Sequence, residues 1–196
     1  MSAGGGELDE PDEVLIQETL SGNMSSFDQL MGRYERLVFK IAYSFGASRE
    51  NALDITQTVF LKAFGHLSTF RTESSFKTWL LRIAYHEGIN WTRSPRNRQD
   101  LHDDLDSAAG ALSTDGGQES GMLLTERRRM LRRSLQSLNV RYRTALLLRY
   151  VHDMPIREIA GVLQCSEPMT KNILFRGVRN LKRALAQAVG PNAARI

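Results

Sequence analysis

Residues 154–185 read MPIREIAGVLQCSEPMTKNILFRGVRNLKRAL, and this stretch decides what kind of fold the chain can adopt. Ile156, Ile159, Ala160 and Leu163 recur at three- and four-residue spacing, giving a short helix one apolar face. Pro155 suits its start, and QCS at 164–166 makes a three-residue turn. Ser166 is an N-cap type, followed by Glu167 and Pro168 in a first turn, and helical periodicity then runs from Met169 to Leu185. The unit reads as a helix-turn-helix, with small Ala160 where two steeply crossing helices approach. When such a unit binds DNA, the second helix enters the major groove with its N-terminal residues toward the base edges. Those residues are Glu167, Pro168, Met169, Thr170, Lys171 and Asn172, while Phe175, Arg176 and Arg179 lie farther along, near phosphates. Two positions depart from the usual pattern: Gln164 stands where the turn commonly has glycine, and Thr170 where the second helix commonly buries valine or isoleucine.

A helical hairpin of this form can also serve packing alone, so charge bears on the choice. The net charge of +4 hides an uneven distribution. Residues 1–18 hold six acids and no base, whereas from Gly121 onward 15 Lys or Arg face four acids. A basic C-terminal third is the footprint of a nucleic-acid surface. A solvated helix face is the competing reading, above all for Arg127, Arg128, Arg129, Arg132 and Arg133.

Upstream the periodicity is again helical, with no convincing strand. Val14, Leu15, Thr19 and Leu20 suggest a short helix closed by Gly22-Asn23, and a long one follows from Phe27 to near Gly46. A third runs from about Ser48 to His66, and a fourth from about Ser74 to Thr92. The fold expected is all-α: a helical bundle over 13–94, a linker over 95–120 and a small basic helix-turn-helix domain over 121–190. The linker is rich in Ser, Asp, Gly and Ala without an apolar face, and is too long for a structureless loop inside one domain. The acidic residues 1–12 are expected to form a disordered tail.

Between the third and fourth helices lies STFRTESSFKTW, residues 68–79, a polar loop studded with aromatics and free of glycine and proline. Phe70, Phe76, Trp79, Tyr85 and Trp91 interleave with Arg71, Lys77, Arg82 and Arg93, the mixture that stacks unpaired bases and neutralises a single strand's phosphates. Periodicity places Phe76, Trp79 and Ile83 in the core; Arg71, Ser74, Ser75 and Lys77 have no such structural reason to be there.

Taken together, NALDITQTVFLKAF (51–64), LSTFRTESSFKTWLLRIAYHEGINWTR (67–93), a polar linker and the segment from Ser134 to Leu185 resemble a bacterial extracytoplasmic-function (group IV) sigma factor of the sigma-70 family. The resemblance spans about Val14 to Ala186, with two separate motifs in the right order. It implies a first domain that binds the β′ clamp helices of core RNA polymerase and opens the promoter −10 element. The second domain would read the −35 element as duplex and meet the β flap, with the linker threading toward the polymerase cleft. An anti-sigma factor is the regulator it implies.

Carried over by position, Asp54, Gln57, Phe60 and Leu61 match the polymerase-binding pattern DxxQxxF, with Thr58 in place of the usual acid. Asn51 and Leu53 also lack the common acidic character. The −10 contacts implied are Phe70, Arg71, Ser74, Ser75, Phe76, Lys77, Trp79, Arg82 and His86, and the loop TFRTESS matches the segment that captures a flipped base. IAYHEGIN replaces the more frequent IARNLALD, so Tyr85, His86 and Glu87 alter the surface that selects the −10 sequence. For the −35 element the match gives Arg141, Ser166, Glu167, Pro168, Thr170, Lys171, Asn172, Phe175, Arg176 and Arg179, with Asn139-Val140 in place of a proline context.

Other function classes fit less well. A stand-alone helix-turn-helix regulator would bind operator duplex tightly without polymerase. A small hydrolase would have to use His86 with His102 and Asp103 or Asp104, three of which fall in the linker, where geometry is hard to hold. No catalytic group, metal or cofactor is expected: His86 has no partner at ligand spacing, and the lone Cys165 excludes an internal disulfide. Cys165 reads as a small, semi-buried turn residue rather than a redox switch. No apolar run reaches bilayer length and the N-terminus is acidic, so a cytoplasmic protein is expected.

Overall fold

The computed structural model describes residues 10–46, 48–94 and 121–189, all helical or in short connections, with no strand among them. The acidic tail through Asp9, the linker over 95–120 with His102, Asp103 and Asp104, and Gly190 lie outside the described residues.

Four helices form the first group: α1 (Asp12–Leu20), α2 (Met24–Tyr43), α3 (Arg49–His66) and α4 (Phe76–Arg93). Each start has a local cause. Asn23 accepts the Ser25 N–H at 3.2 Å, Ser48 the Asn51 N–H at 3.1 Å and Ser75 the Thr78 N–H at 3.2 Å, so three helices open on side chains that satisfy otherwise orphaned donors. Asp12, grouped with the tail by sequence, instead opens α1, where it pairs with Arg33 and accepts the Tyr34 hydroxyl of α2. The chain reverses after α1 and α2 at Gly22 (φ +103°) and Gly46 (φ +86°), backbone conformations that favour glycine.

α2 packs on α1, α3 and α4, and α3 on α4. Leu15, Leu30, Val38, Ile41, Phe45, Val59, Leu80 and Ala84 are fully buried between them, and burial of each large apolar side chain stabilises by about 1.5–3 kcal/mol before entropy is counted.

The second group is α5 (Gly121–Gln136), α6 (Val140–Tyr150), α7 (Ile156–Leu163) and α8 (Glu167–Val189). α8 runs along α5, α6 and α7. Arg143 is 6% exposed, donates to the Gln136 carbonyl at 3.2 Å, and burial pulls its pKa down to about 10. That arginine therefore holds α5 to α6 from inside. The main contact between the two groups is α4 against α7. No described helix is long and apolar enough to cross a membrane.

Candidate nucleic-acid and partner interfaces

On α3, Ala52, Ile55, Val59 and Ala63 face the core, yet a second apolar stripe points outward. Leu53, Leu61 and Phe64 are 45%, 66% and 41% exposed, and with Gln57 they follow helical spacing along one side. Met24, Phe27 and Met31 of α2 supply the opposite wall of a groove of about 600 Å³, and Phe27 meets Phe64 edge-on at 5.0 Å. Asp54 and Gln57 are exposed beside the groove. The Thr58 hydroxyl is turned back, donating to the Asp54 carbonyl at 2.9 Å. Phe60 is 6% exposed and forms the groove's floor rather than a free contact. Of the residues that the sequence assigned to polymerase binding, Gln57, Phe60 and Leu61 line this groove, and Met24, Met31 and Phe64, which line it too, were not among them. The available signal was the set of apolar residues on α3 beyond what its core face needs.

The polar loop follows a single 3-10 turn, Leu67–Thr69, which the Phe70 N–H closes onto the Leu67 carbonyl at 3.1 Å. Phe70, Phe76 and Trp79 then form a ring cluster with centroids 5.4–5.8 Å apart, and Tyr34 of α2 adds a fourth ring 5.7 Å from Phe76. Phe76 is 2% exposed. It is a support for the loop, because a ring that deep has no face to offer a base. Phe70 and Trp79 are half-buried, while Arg71, Thr72, Glu73 and Ser75 are exposed and Ser74 and Lys77 partly so. The aromatics thus fix the loop from beneath and leave its polar groups outward.

Farther along α4, Arg82 Nε donates to the Gly161 carbonyl at 3.0 Å, and His86 Nε2 lies 3.0 Å from Gln164 Oε1. Both of these residues assigned to the −10 element are engaged by α7 and the turn after it. Tyr85, buried beside them, has its pKa raised by loss of solvent; Arg141 and Arg93 oppose that shift, whereas Cys165 adds to it. His152, in the α6–α7 connection, is pushed down to about 4 by burial first, and then by Lys40 of α2 and Lys77 of α4.

In the helix-turn-helix, Gln164 adopts the left-handed conformation (φ +49°) expected of a glycine turn, and Ser166 accepts the Met169 N–H at 3.4 Å. Thr170 is fully buried; its hydroxyl donates to the Ser166 carbonyl at 3.1 Å and lies 3.3 Å from the half-buried Cys165 sulfur. A threonine thus fills the apolar position by satisfying its own hydroxyl, and has no access to a base. Glu167, Pro168, Met169, Lys171, Asn172, Phe175, Arg176 and Arg179 are exposed, Phe175 by 68%. Arg141, Asn172 and Arg176 converge on a cleft of about 370 Å³ with Tyr142 and Met169. Among the described residues no group of His, Cys, Asp and Glu could hold a metal ion.

The family model described as Sigma-70 region 2 matches residues 30–98, and the one described as Sigma-70, region 4 matches residues 128–181. The chain is 30% identical over 182 residues to the RNA polymerase sigma-H factor of Pseudomonas aeruginosa, covering 90% of this chain and 94% of that protein. It is 30% identical over 172 residues to the ECF RNA polymerase sigma-E factor of Escherichia coli, covering 84% and 89%. Among solved structures, CnrH in complex with the cytosolic domain of CnrY aligns with a TM-score of 0.67 at 23% identity, over 91% of this chain and 99% of that one. The sigma factor RpoE of Bartonella quintana, in complex with the anti-sigma factor NepR, aligns at 0.61 and 20% identity over 82% and 96%. These two establish the fold. With both regions matched in order and curated relatives aligned along most of its length, the chain belongs to the sigma-70 family as an extracytoplasmic-function RNA polymerase sigma factor.

Proposed function

We propose that the surfaces described above divide the work of promoter recognition. The α2–α3 groove takes the β′ clamp helices of core polymerase, with Leu53, Leu61 and Phe64 as apolar anchors and Asp54 and Gln57 as polar contacts at the edge. Phe60 holds the groove floor. The loop from Phe70 to Lys77 receives a base extruded from the −10 strand: Arg71, Ser74, Ser75 and Lys77 supply the polar contacts, and Phe70 and Trp79 offer ring surface. Arg82 and His86 extend that track along α4.

α8 enters the −35 major groove, with Lys171 and Asn172 toward base edges and Arg141, Arg176 and Arg179 on phosphates. The same domain meets the β flap. An anti-sigma factor, such as accompanies RpoE in its solved complex, is the expected regulator. The reading needs no catalytic group: melting is driven by binding a single strand that closed duplex does not present. The protein works in the cytoplasm, where polymerase and promoter are.

The observation that carries this reading is the outward apolar stripe on α3, which the chain's own core does not use. Gel filtration with bacterial core polymerase tests it. The parent co-elutes, and a Gln57→Ala, Leu61→Glu variant with unchanged helix content does not. Phe60 is a poor probe, because truncating it leaves a cavity in the floor. Tight operator binding without polymerase, and no co-elution, would return the stand-alone regulator.

A further inference from the structure

A pocket of about 540 Å³ opens where the two helix groups meet, with Arg82 of α4 on one wall and Arg157, Gly161, Gln164 and Glu167 on the other. That volume is in the range of small-molecule sites, and the charged lining is two guanidiniums and one carboxylate. Arg82 donates through Nε to the Gly161 carbonyl at 3.0 Å, and its terminal nitrogens have no acceptor among the described residues. Arg157 and Glu167 are exposed and bond to none of the described residues. Further cations flank the pocket along the same seam. Lys40 of α2 and Lys77 of α4 help to depress the pKa of His152 on one side, and Arg141 and Arg93 act on Tyr85 on the other. The acids on this stretch are fewer: Asp153 beside His152, Glu158 in the first turn of α7, and Glu167. The joined helix groups therefore gather like charges along one line, and an anion that touches both walls would turn that repulsion into attraction.

We propose that this pocket is a nucleotide site: Arg82 and Arg157 hold the phosphates of a guanosine diphosphate from opposite walls, and the Glu167 carboxylate accepts from N1 and N2 of its guanine. Guanidinium is the side chain best shaped for phosphate, and a pair of them matches a diphosphate. The carboxylate would repel a bare inorganic anion, so the ligand must bring donors of its own. Guanine is the common base whose Watson–Crick edge offers adjacent N–H donors. Because the walls belong to different helix groups, the nucleotide binds them only while they are joined, and by linkage it stabilises their contact. Nucleotide level then sets how readily α4 is released to a promoter. That consequence rests on the assignment of α4 to the −10 strand; the site itself does not.

Calorimetric titration of the full chain with GDP is the test, with Arg157→Gln as the probe because that exposed side chain has no bond to lose in the fold. GDP should bind the parent at a single site, and Arg157→Gln at least about tenfold more weakly with an unchanged melting temperature. ADP and inorganic pyrophosphate should bind the parent more weakly than GDP, and Glu167→Gln should narrow that difference. Hydrogen exchange with GDP present should show added protection of both α7 and the turns of α4 around Arg82. No binding at about 1 mM GDP, or equal binding by Arg157→Gln, overturns the site. Pyrophosphate binding as tight as that of GDP marks an adventitious ion only and overturns the nucleotide. Binding that leaves α4 unprotected overturns the bridging of the two walls. These readouts use neither polymerase nor promoter, so their failure leaves the promoter assignments standing. A chain that binds GDP yet fails to co-elute with core polymerase overturns the polymerase assignment and supports this site.

Discussion

Gly88 and Phe45 occupy the same space to within one methyl group: a Cβ on Gly88 would lie 2.2 Å from the Phe45 ring, whose side chain is fully buried. Glycine inside α4 sacrifices about 1 kcal/mol of helix propensity, and the ring of Phe45 is what uses the gap. The ring has no solvent to swing into. Gly88→Ala should therefore destabilise, with overpacking of about 1–3 kcal/mol outweighing the propensity gain. Thermal unfolding by circular dichroism should show Tm lowered by several degrees.

Local chemistry made much of the fold legible. Periodicity placed helix starts at about Ser48 and about Ser74, where the caps prove to be Ser48 and Ser75, and the turn at 164–166 was read directly from QCS. Phe76, Trp79 and Ile83 were expected in the core from spacing; Phe76 is buried there, and Trp79 and Ile83 pack against it half-buried. The candidate groove was only half legible, because its α2 wall comes from Met24 and Met31, which carry no motif and gain meaning only when placed opposite Leu61. The α4–α7 contact was illegible: its key groups are a backbone carbonyl, a glycine and a glutamine, none of which has a periodic signature.

Asp12 opens α1 and holds both Arg33 and Tyr34, so its removal costs two partners at once. Side chains at the ion pair are 22% and 15% exposed, less screened than an open surface pair. Asp12→Ala should cost about 1–2 kcal/mol, combining a charge-assisted bond with a first-turn acid favoured by the helix dipole. Urea unfolding should show a lower midpoint with an unchanged m-value.

His152 gives the structure a pH dependence whose sign follows from its depressed pKa. Above about pH 6.5 the ring is neutral whether folded or not and contributes nothing. As pH falls from there toward the folded value of about 4, the unfolded or opened chain takes a proton that the folded form refuses, so stability is lost across that window. Lys40 and Lys77 belong to the first helix group and His152 to the second, so the contact between the groups should loosen first. Hydrogen exchange at pH 7.5 and 5.5 should show protection of α7 falling at the lower pH, with a smaller fall in His152→Gln.

On the −35 side, position on α8 separates two kinds of effect. Arg176→Ala and Arg179→Ala should weaken holoenzyme binding to all promoters alike and reduce the salt slope by about one each. Lys171→Ala and Asn172→Ala should instead change the preferred −35 bases, at about 1–3 kcal/mol of discrimination. Filter binding over a salt series, on two promoters differing only at the −35 element, measures both.

Ser75 ties the polar loop to α4: its hydroxyl accepts the Thr78 N–H at 3.2 Å and meets the Thr78 hydroxyl at 2.9 Å. Ser75→Ala should cost about 1 kcal/mol as a lost cap and leave the α2–α3 groove untouched. Core polymerase binding should then be unchanged while promoter opening slows, because the loop that receives the base loses its anchor before Phe76. Ser75→Asp keeps a capping acceptor but sets a negative charge where phosphates approach. It should restore the melting temperature without restoring the opening rate, a split that a purely structural role for Ser75 would not produce. Fluorescence of a 2-aminopurine base at the −10 element follows opening, and thermal unfolding reports the cap on the same samples.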